Sequence, residues 1–310
     1  MPILRAQSVQ RAAYCATIAP KFLMSGLFCS VLVLAVYFQA SIAQAQLRVA
    51  ETNTVMPQGL MQPASASAQQ PASTQQHPLE PALKMAWKVQ ENMKANLHDY
   101  SATIVKHERI DGKLGDPEYA LIKVRQQPFS VYLGFIGPED VKGQECMYVE
   151  GQNNGKMFAH APPGTFRYRF GTVSLDPTSA MAMRGQRYPI TEIGISNLTK
   201  RLIEVGDHDK QFGECDVQFF QGSKVNGRVC TMIQVTHPVP RANFLFHMAR
   251  IYLDDELQVP IRYEAYDWPT QAGGPPVLLE EYTYMNLKVN EGLTDADFDV
   301  HNAKYSFNVK

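Results

Sequence analysis

Between residues 100 and 289 the chain is a succession of short β-rich runs, and this restricts its fold more than any other property. Runs at 100–110, 119–126, 129–136, 145–149 and 156–160 are separated by Asp111-Gly112-Lys113, Gln127-Pro128 and Gly151-Gln152-Asn153-Asn154-Gly155. After a less regular stretch, runs at 216–221, 228–236, 244–253, 259–267 and 277–289 follow, with turn signals at Asn226-Gly227 and Asp254-Asp255. Strand-length runs punctuated by Gly, Asn, Asp and Pro predict an antiparallel meander. A sheet of nine or ten strands tends to curl. No internal repeat is present.

Two stretches break the β pattern. Leu79, Leu83, Ala86, Val89, Met93 and Leu97 recur at steps of three and four, which lays one apolar face on a helix, with Pro81 in its first turn. Residues 190–204 carry Ile193, Ile195, Leu198, Leu202 and Ile203 and predict a second helix, ended by Gly206-Asp207. The fold class predicted is α+β: one large, curved antiparallel sheet, a half-barrel, with two or three helices on its concave side. Such an arrangement can enclose an apolar cavity.

The first 45 residues predict export. Arg5, Arg11 and Lys21 are the only charges, an apolar run fills 22–38, and Ala43-Gln44-Ala45 closes the segment with small residues. This is the order of a secretory signal. The apolar run is also long enough to serve as an uncleaved anchor, so the alternatives are a periplasmic or extracellular protein and one tethered by its N-terminus. Outside the cytoplasm ATP and nicotinamide cofactors are scarce. Residues 46–77 are rich in Gln, Pro, Ser and Ala and have no apolar periodicity, which predicts a disordered linker ahead of one domain at 78–310.

Removing the three cations of the first 45 residues leaves 26 Lys and Arg against 30 Asp and Glu, a balance of −4. Nucleic acid is therefore not an expected partner, since its binding rests on neutralised phosphates. Cys146, Cys215 and Cys230 make no disulfide framework. One bridge, Cys215–Cys230 across a hairpin, is weighed against three buried free thiols, and the free thiols are preferred.

Motifs for chemistry are absent: no G-x-S-x-G, H-E-x-x-H, C-x-x-C or phosphate loop. Asp207-His208-Asp209 predicts a polar turn rather than a metal site. Asp295, Asp297 and Asp299 lack the glycine and terminal glutamate of a calcium loop and predict a solvated turn with Phe298 in the core. Cys146, mid-strand, predicts an inert buried thiol. Glu280 and Glu281 face opposite ways on a strand, one of them meeting Arg262 or Lys288. Met181-Ala182-Met183 is taken as core near the second helix. In Phe166-Arg167-Tyr168-Arg169-Phe170, strand periodicity would put three aromatics on one face and both arginines on the other. Those arginines either hold an anionic headgroup at an apolar mouth or stand in water on an edge strand.

Several phrases resemble a known family. Pro128-Phe129-Ser130-Val131-Tyr132-Leu133, Gly143-Gln144-Glu145 and Tyr148-Val149-Glu150-Gly151 are similar to an uncharacterised secreted bacterial family, domain of unknown function 1571, and the ending, Tyr284 to Asn290 and then Leu293 to Asp299, resembles the close of lipoprotein-carrier sheets. Helix first and meander after resembles the LolA/LolB lipoprotein-carrier superfamily. That resemblance implies a LolA-like binding fold that holds acyl chains in a half-open barrel lidded by helices. It brings no catalytic motif and no cofactor.

The function expected is a secreted or periplasmic binding protein for a lipid, acyl chain or other amphiphile, with a lipoprotein or membrane component as the partner class. The cavity is expected to be lined by Phe129, Val131, Leu133, Phe135, Met147, Val149, Ile233, Ile261 and Tyr263, with Arg167 and Arg169 at its mouth. One alternative is a structural or interaction protein of the cell envelope with a filled core. The other is a hydrolase that assembles His160, His237 or His247 with a distant carboxylate only in three dimensions.

Overall fold

The computed structural model describes residues 76–309. The export segment and most of the linker lie outside the described residues. Helix α1 (Glu80–Asn96) buries Ala82, Leu83, Val89 and Met93, the face its apolar spacing marks, and begins with Pro81 where a missing N–H costs nothing. Strands β1 (Asp99–Ile110), β2 (Lys113–Leu114), β3 (Glu118–Arg125), β4 (Ser130–Gly137), β5 (Glu145–Val149), β6 (Met157–His160) and β7 (Val173–Leu175) follow. Then come helix α2 (Ile195–Asp209) and strands β8 (Asp216–Val225), β9 (Arg228–Thr236), β10 (Met248–Asp254), β11 (Pro260–Asp267) and β12 (Val277–Val289).

All twelve strands join one antiparallel sheet in the order β7-β6-β5-β4-β3-β1-β12-β11-β10-β9-β8, with β2 beside β1. The sheet is open: β7 and β8 are its edges, and nothing pairs them with each other. Its long-range seam is β1 against β12, where Tyr100 sits opposite Val289 and Glu108 opposite Glu280. This joins the two halves of the meander and puts the chain's first and last strands at the centre.

Helix α2 crosses one face. At its start the Ile195 N–H donates to the Tyr100 hydroxyl on β1 at 2.9 Å, and at its end Asp209 lies 3.3 Å from His237, just past β9. Fifteen residues of helix cover about 22 Å. On a flat sheet those two points, four strands and eleven register positions apart, would be separated by about 40 Å. The sheet must therefore curl under the helix, as strand twist favours.

Several elements differ from the sequence expectation, among them β2, a strand where a turn is expected, and β10, which begins at Met248 and not at 244. The second helix does not start at 190: Ile190–Glu192 is a single 3-10 turn, Gly194 at φ 117° breaks the chain, and the α-helix begins at Ile195. Gly206-Asp207 does not end it either, because Gly206 is needed inside the helix, where it meets Leu83 of α1. Phe166–Phe170 is a 3-10 helix rather than a strand, so its aromatics and arginines do not alternate across a sheet. Strand β7, three residues long within the irregular stretch, is an addition to the expected meander.

The cysteines are free and buried. Cys215–Cys230 cannot bridge, because Cys230 pairs with Ser223 near the turn of the β8–β9 hairpin while Cys215 precedes its open end at Asp216–Thr236.

Candidate functional site

Strand register sorts the sheet into two faces. On the helix face, Val131 lies between Val124 and Tyr148, Leu133 between Ile122 and Cys146, and Phe135 beside Ala120. These side chains form one continuous core with Val89 and Met93 of α1 and Ile195 of α2, so this half of the helix face is filled. Phe129 packs at its margin, and Ile261 belongs to the same cluster. The second half of the helix face, across β9 to β11, carries Val235, Ala249, Tyr263 and Ala265 against Leu79 and Leu83 of α1.

The second half is not filled. Between α1, α2 and β9–β11 lies a cleft of about 90 Å³. Its floor is Ile233, Val235, Ala249, Ile251 and Leu253, and its roof is Leu83, Ala86 and Val89 from α1 with Leu202, Val205 and Gly206 from α2. Thr199 and Asp209 are the only hydroxyl- or charge-bearing residues in the lining. The Thr199 hydroxyl is spent on the Ile195 carbonyl at 2.9 Å. Gly206 sets the roof: a Cβ there would stand 2.7 Å from Leu83 Cδ2, so any larger residue must displace Leu83 or part the helices.

Asp209 closes one end of the cleft. Its carboxylate accepts from His208 Nδ1 at 3.0 Å and lies 3.3 Å from His237 Nε2, while His237 Nδ1 is 3.2 Å from the Phe246 carbonyl. Both groups are fully inside, and His237 stacks on Phe244 with ring centroids 4.0 Å apart. Burial raises the Asp209 carboxyl above its ordinary range and lowers the His237 imidazole below its own, so the pair is pushed toward its neutral form. The sequence predicts a turn here. Asp209 lies instead on the last turn of α2, and nothing in the local sequence announces His237 as its partner.

Beside the cleft the same face becomes polar. The Lys106 ammonium lies 3.0 Å from Glu118 and 3.6 Å from Glu108, and it also donates to Gln186. Burial opposes its charge, but the two carboxylates outweigh burial and hold it above the lysine range. Arg187 pairs with Glu280 at 2.7 Å, Tyr188 donates to Glu280 at 3.0 Å, and Tyr282 donates to Glu108. Glu281, on the other face, meets Arg262 at 3.1 Å, as opposed strand neighbours should. These ion pairs and hydrogen bonds hold the 186–188 segment on the sheet.

Of the residues expected to line a cavity, Ile233 alone lines the cleft. Val131, Leu133, Phe135 and Ile261 are in the filled core, and Tyr263 lies in the cluster under α1. Met147 and Val149 do not join them. Met147 is opposite Tyr132 and Val149 opposite Ser130, which puts both on the reverse face, covered by Phe298. The choice of one face for β4 and the wrong parity for β5 is a register error that sequence alone cannot detect. Arg167 and Arg169 sit on the exposed 3-10 turn beyond β6, at the opposite end of the sheet from the cleft.

The reverse face carries the C-terminal segment. Glu145 accepts from the Tyr132 hydroxyl at 2.8 Å and the Ser306 N–H at 2.7 Å, and lies 3.0 Å from His160 Nε2. Asp297 accepts from Lys123 at 2.7 Å, Asp295 from Arg125 at 2.7 Å, and Phe298 is buried, so the acidic turn is an anchor and not only solvated. His160 thus joins a carboxylate, and no group of three His, Cys, Asp or Glu among the described residues is placed to hold a metal.

The family model described as "Protein of unknown function (DUF1571)" matches residues 97–307. No curated protein matches the chain. Among solved structures, the Mycobacterium tuberculosis lipoprotein LppX is similar at 15% identity and a TM-score of 0.40, over 71% of this chain and 100% of that one. An uncharacterised conserved protein from Thermus thermophilus is similar at 11% identity and 0.39, over 71% and 93%. A LolA superfamily protein from Nitrosomonas europaea is similar at 9% identity and 0.29, over 69% and 97%.

Proposed function

The chain belongs to the family of proteins of unknown function DUF1571, and on that premise we propose that it is an exported binding protein for the apolar chain of a lipid or other amphiphile, acting without catalysis. The observation that carries this reading is the apolar cleft roofed by α1 and α2. A void lined by aliphatic side chains stays dry and gains free energy when hydrocarbon fills it. Each buried methylene contributes about 0.8 kcal/mol. The order of basic, apolar and small residues over the first 45 positions supports export, with the alternatives of cleavage and tethering.

The size of the cleft sets a condition. At about 90 Å³ it is smaller than the roughly 150 Å³ cavity that takes up benzene. A long chain enters only if the helices part, and the joint that parts is the contact of Leu83 with Gly206. The helix pair is thus the cover of the site, and the floor is fixed by the sheet.

Native mass spectrometry of the gently purified full chain, followed by organic extraction and titration with a fluorescent fatty acid, tests the reading. An excess mass that extracts as lipid, or saturable fatty-acid binding, is the expected result. A bare mass with no binding on titration refutes it and leaves an envelope interaction protein, which the filled half of the helix face would suit.

A further inference from the structure

The 3-10 turn beyond β6 presents its aromatic side chains to solvent on a fixed support. Phe166 is 71% exposed, Phe170 65% and Tyr168 43%. Phe166 and Phe170 meet edge to face at 5.5 Å, so they stand together as one apolar projection. The turn is held from below: Tyr168 packs on His160 at 6.0 Å, the Thr165 hydroxyl donates to the Pro162 carbonyl at 2.7 Å, and the Asn308 N–H donates to the Thr172 hydroxyl at 2.7 Å. Leaving two phenylalanines in water is unfavourable, and a projection of this kind marks a surface that meets something.

Charge identifies the partner. Arg167 and Arg169 alternate with the three aromatics, are exposed, and form no ion pair among the described residues. Residues 161–186 carry Arg167, Arg169 and Arg184 against the single acid Asp176, a local +2 in a chain whose formal net charge is −1. Aromatic rings interleaved with arginines suit a lipid headgroup layer: rings enter the interface, and guanidinium forks take phosphate oxygens. An acidic protein surface would satisfy the arginines but not the two exposed phenyl rings.

We propose that the Phe166–Phe170 turn docks the protein on an anionic phospholipid bilayer. The docking surface lies at the β6–β7 edge of the sheet, five or more strands from the cleft, and does not depend on what the cleft holds.

The test places a reporter on the projection itself, so that any membrane contact of the N-terminal apolar run does not confuse it. Phe166→Trp in the full chain is titrated with vesicles of brominated phosphatidylglycerol and of brominated phosphatidylcholine. Trp87 and Trp268 are corrected for with the parent chain. Blue-shifted, quenched emission on the anionic vesicles, weakening as salt rises, is expected. Adding Arg167→Gln and Arg169→Gln should raise the half-saturating lipid concentration about twenty-five-fold, roughly five-fold per arginine. Unchanged emission at high anionic lipid overturns the proposal, as does quenching that is equal on both vesicles and indifferent to the arginines. A blue shift that grows with protein concentration without lipid also overturns it, because the turn would then be covered by a second copy.

Discussion

Replacing Leu83 with alanine probes both the packing of the helix cover and the use of the cleft beneath it. Leu83 is buried, lines the cleft, and is the side chain that Gly206 admits. The substitution removes three carbons, worth about 2.4 kcal/mol of transfer free energy at about 0.8 kcal/mol each. The new space merges with a cleft of about 90 Å³ that the fixed sheet floor cannot close, so a cavity term is added. The total should fall at about 3–4 kcal/mol, within the range for buried Leu→Ala changes. Urea unfolding of the full chain, followed by circular dichroism, measures it. The same titration with dodecanoic acid at about a hundred times its dissociation constant should return about 2.7 kcal/mol to the parent chain, and no less to the variant, whose cleft is larger. A loss below about 1 kcal/mol would show that Leu83 does not hold the cover down. A full loss with no return from ligand in either protein would show that the cleft is a void and not a binding site.

Gly206→Ala should cost about 1–2 kcal/mol, the strain of a Cβ 2.7 Å from Leu83 Cδ2 outweighing the roughly 1 kcal/mol gained in helix propensity, and in the Leu83→Ala background it should become stabilising. A double-mutant cycle by urea unfolding that gives no coupling refutes the contact. The hold on the C-terminal segment should depend on pH from two sides. Burial raises Glu145, yet its bonds from His160, Ser306 and Tyr132 bring it below the carboxylate range, so its contribution is present above about pH 4.3 and is lost as pH falls through the lowered value. Burial lowers His160, yet Glu145 lifts it above the imidazole range, so its contribution is full below about pH 6.5 and is lost as pH rises through the raised value. The protection of the Ser306 amide, its exchange rate relative to the intrinsic rate at the same pH, should therefore be greatest between those limits, and Glu145→Gln should flatten both limbs. Cys146, Cys215 and Cys230, whose thiols burial pushes up to about 12, 11 and 11, should resist iodoacetamide until the chain unfolds; rapid native labelling of any of them would contradict their burial.

Features encoded over a few positions are legible in the sequence. The α1 face, the bounds of β5, β9 and β12, and the irregular stretch before α2 follow from periodicity and turn residues. Strand alternation sends Glu280 and Glu281 to opposite faces, and the structure gives them to Arg187 and Arg262. The errors share one cause. Gly206 reads as a helix stop because its neighbours in sequence do not include Leu83, and Met147 reads as a companion of Leu133 because a strand does not reveal which partner sets its parity. The cleft escapes a sequence reading for the same reason: its floor comes from β9 to β11, its roof from two helices with seven strands between them in the chain, and Ile233 is the one expected lining residue that reaches it.

An α+β chain of antiparallel strands with an amphipathic helix at its start, free of the common catalytic motifs, follows from the amino-acid order. These properties reside in side-chain spacing, which local sterics and burial translate directly into strands and turns. Tertiary structure alone decided which sheet face meets the helices, that α2 continues through Gly206, and that Asp209 and His237 close one end of an apolar cleft. Each of these depends on strand register and helix approach between distant segments, where a shift of one residue turns every side chain to the other face.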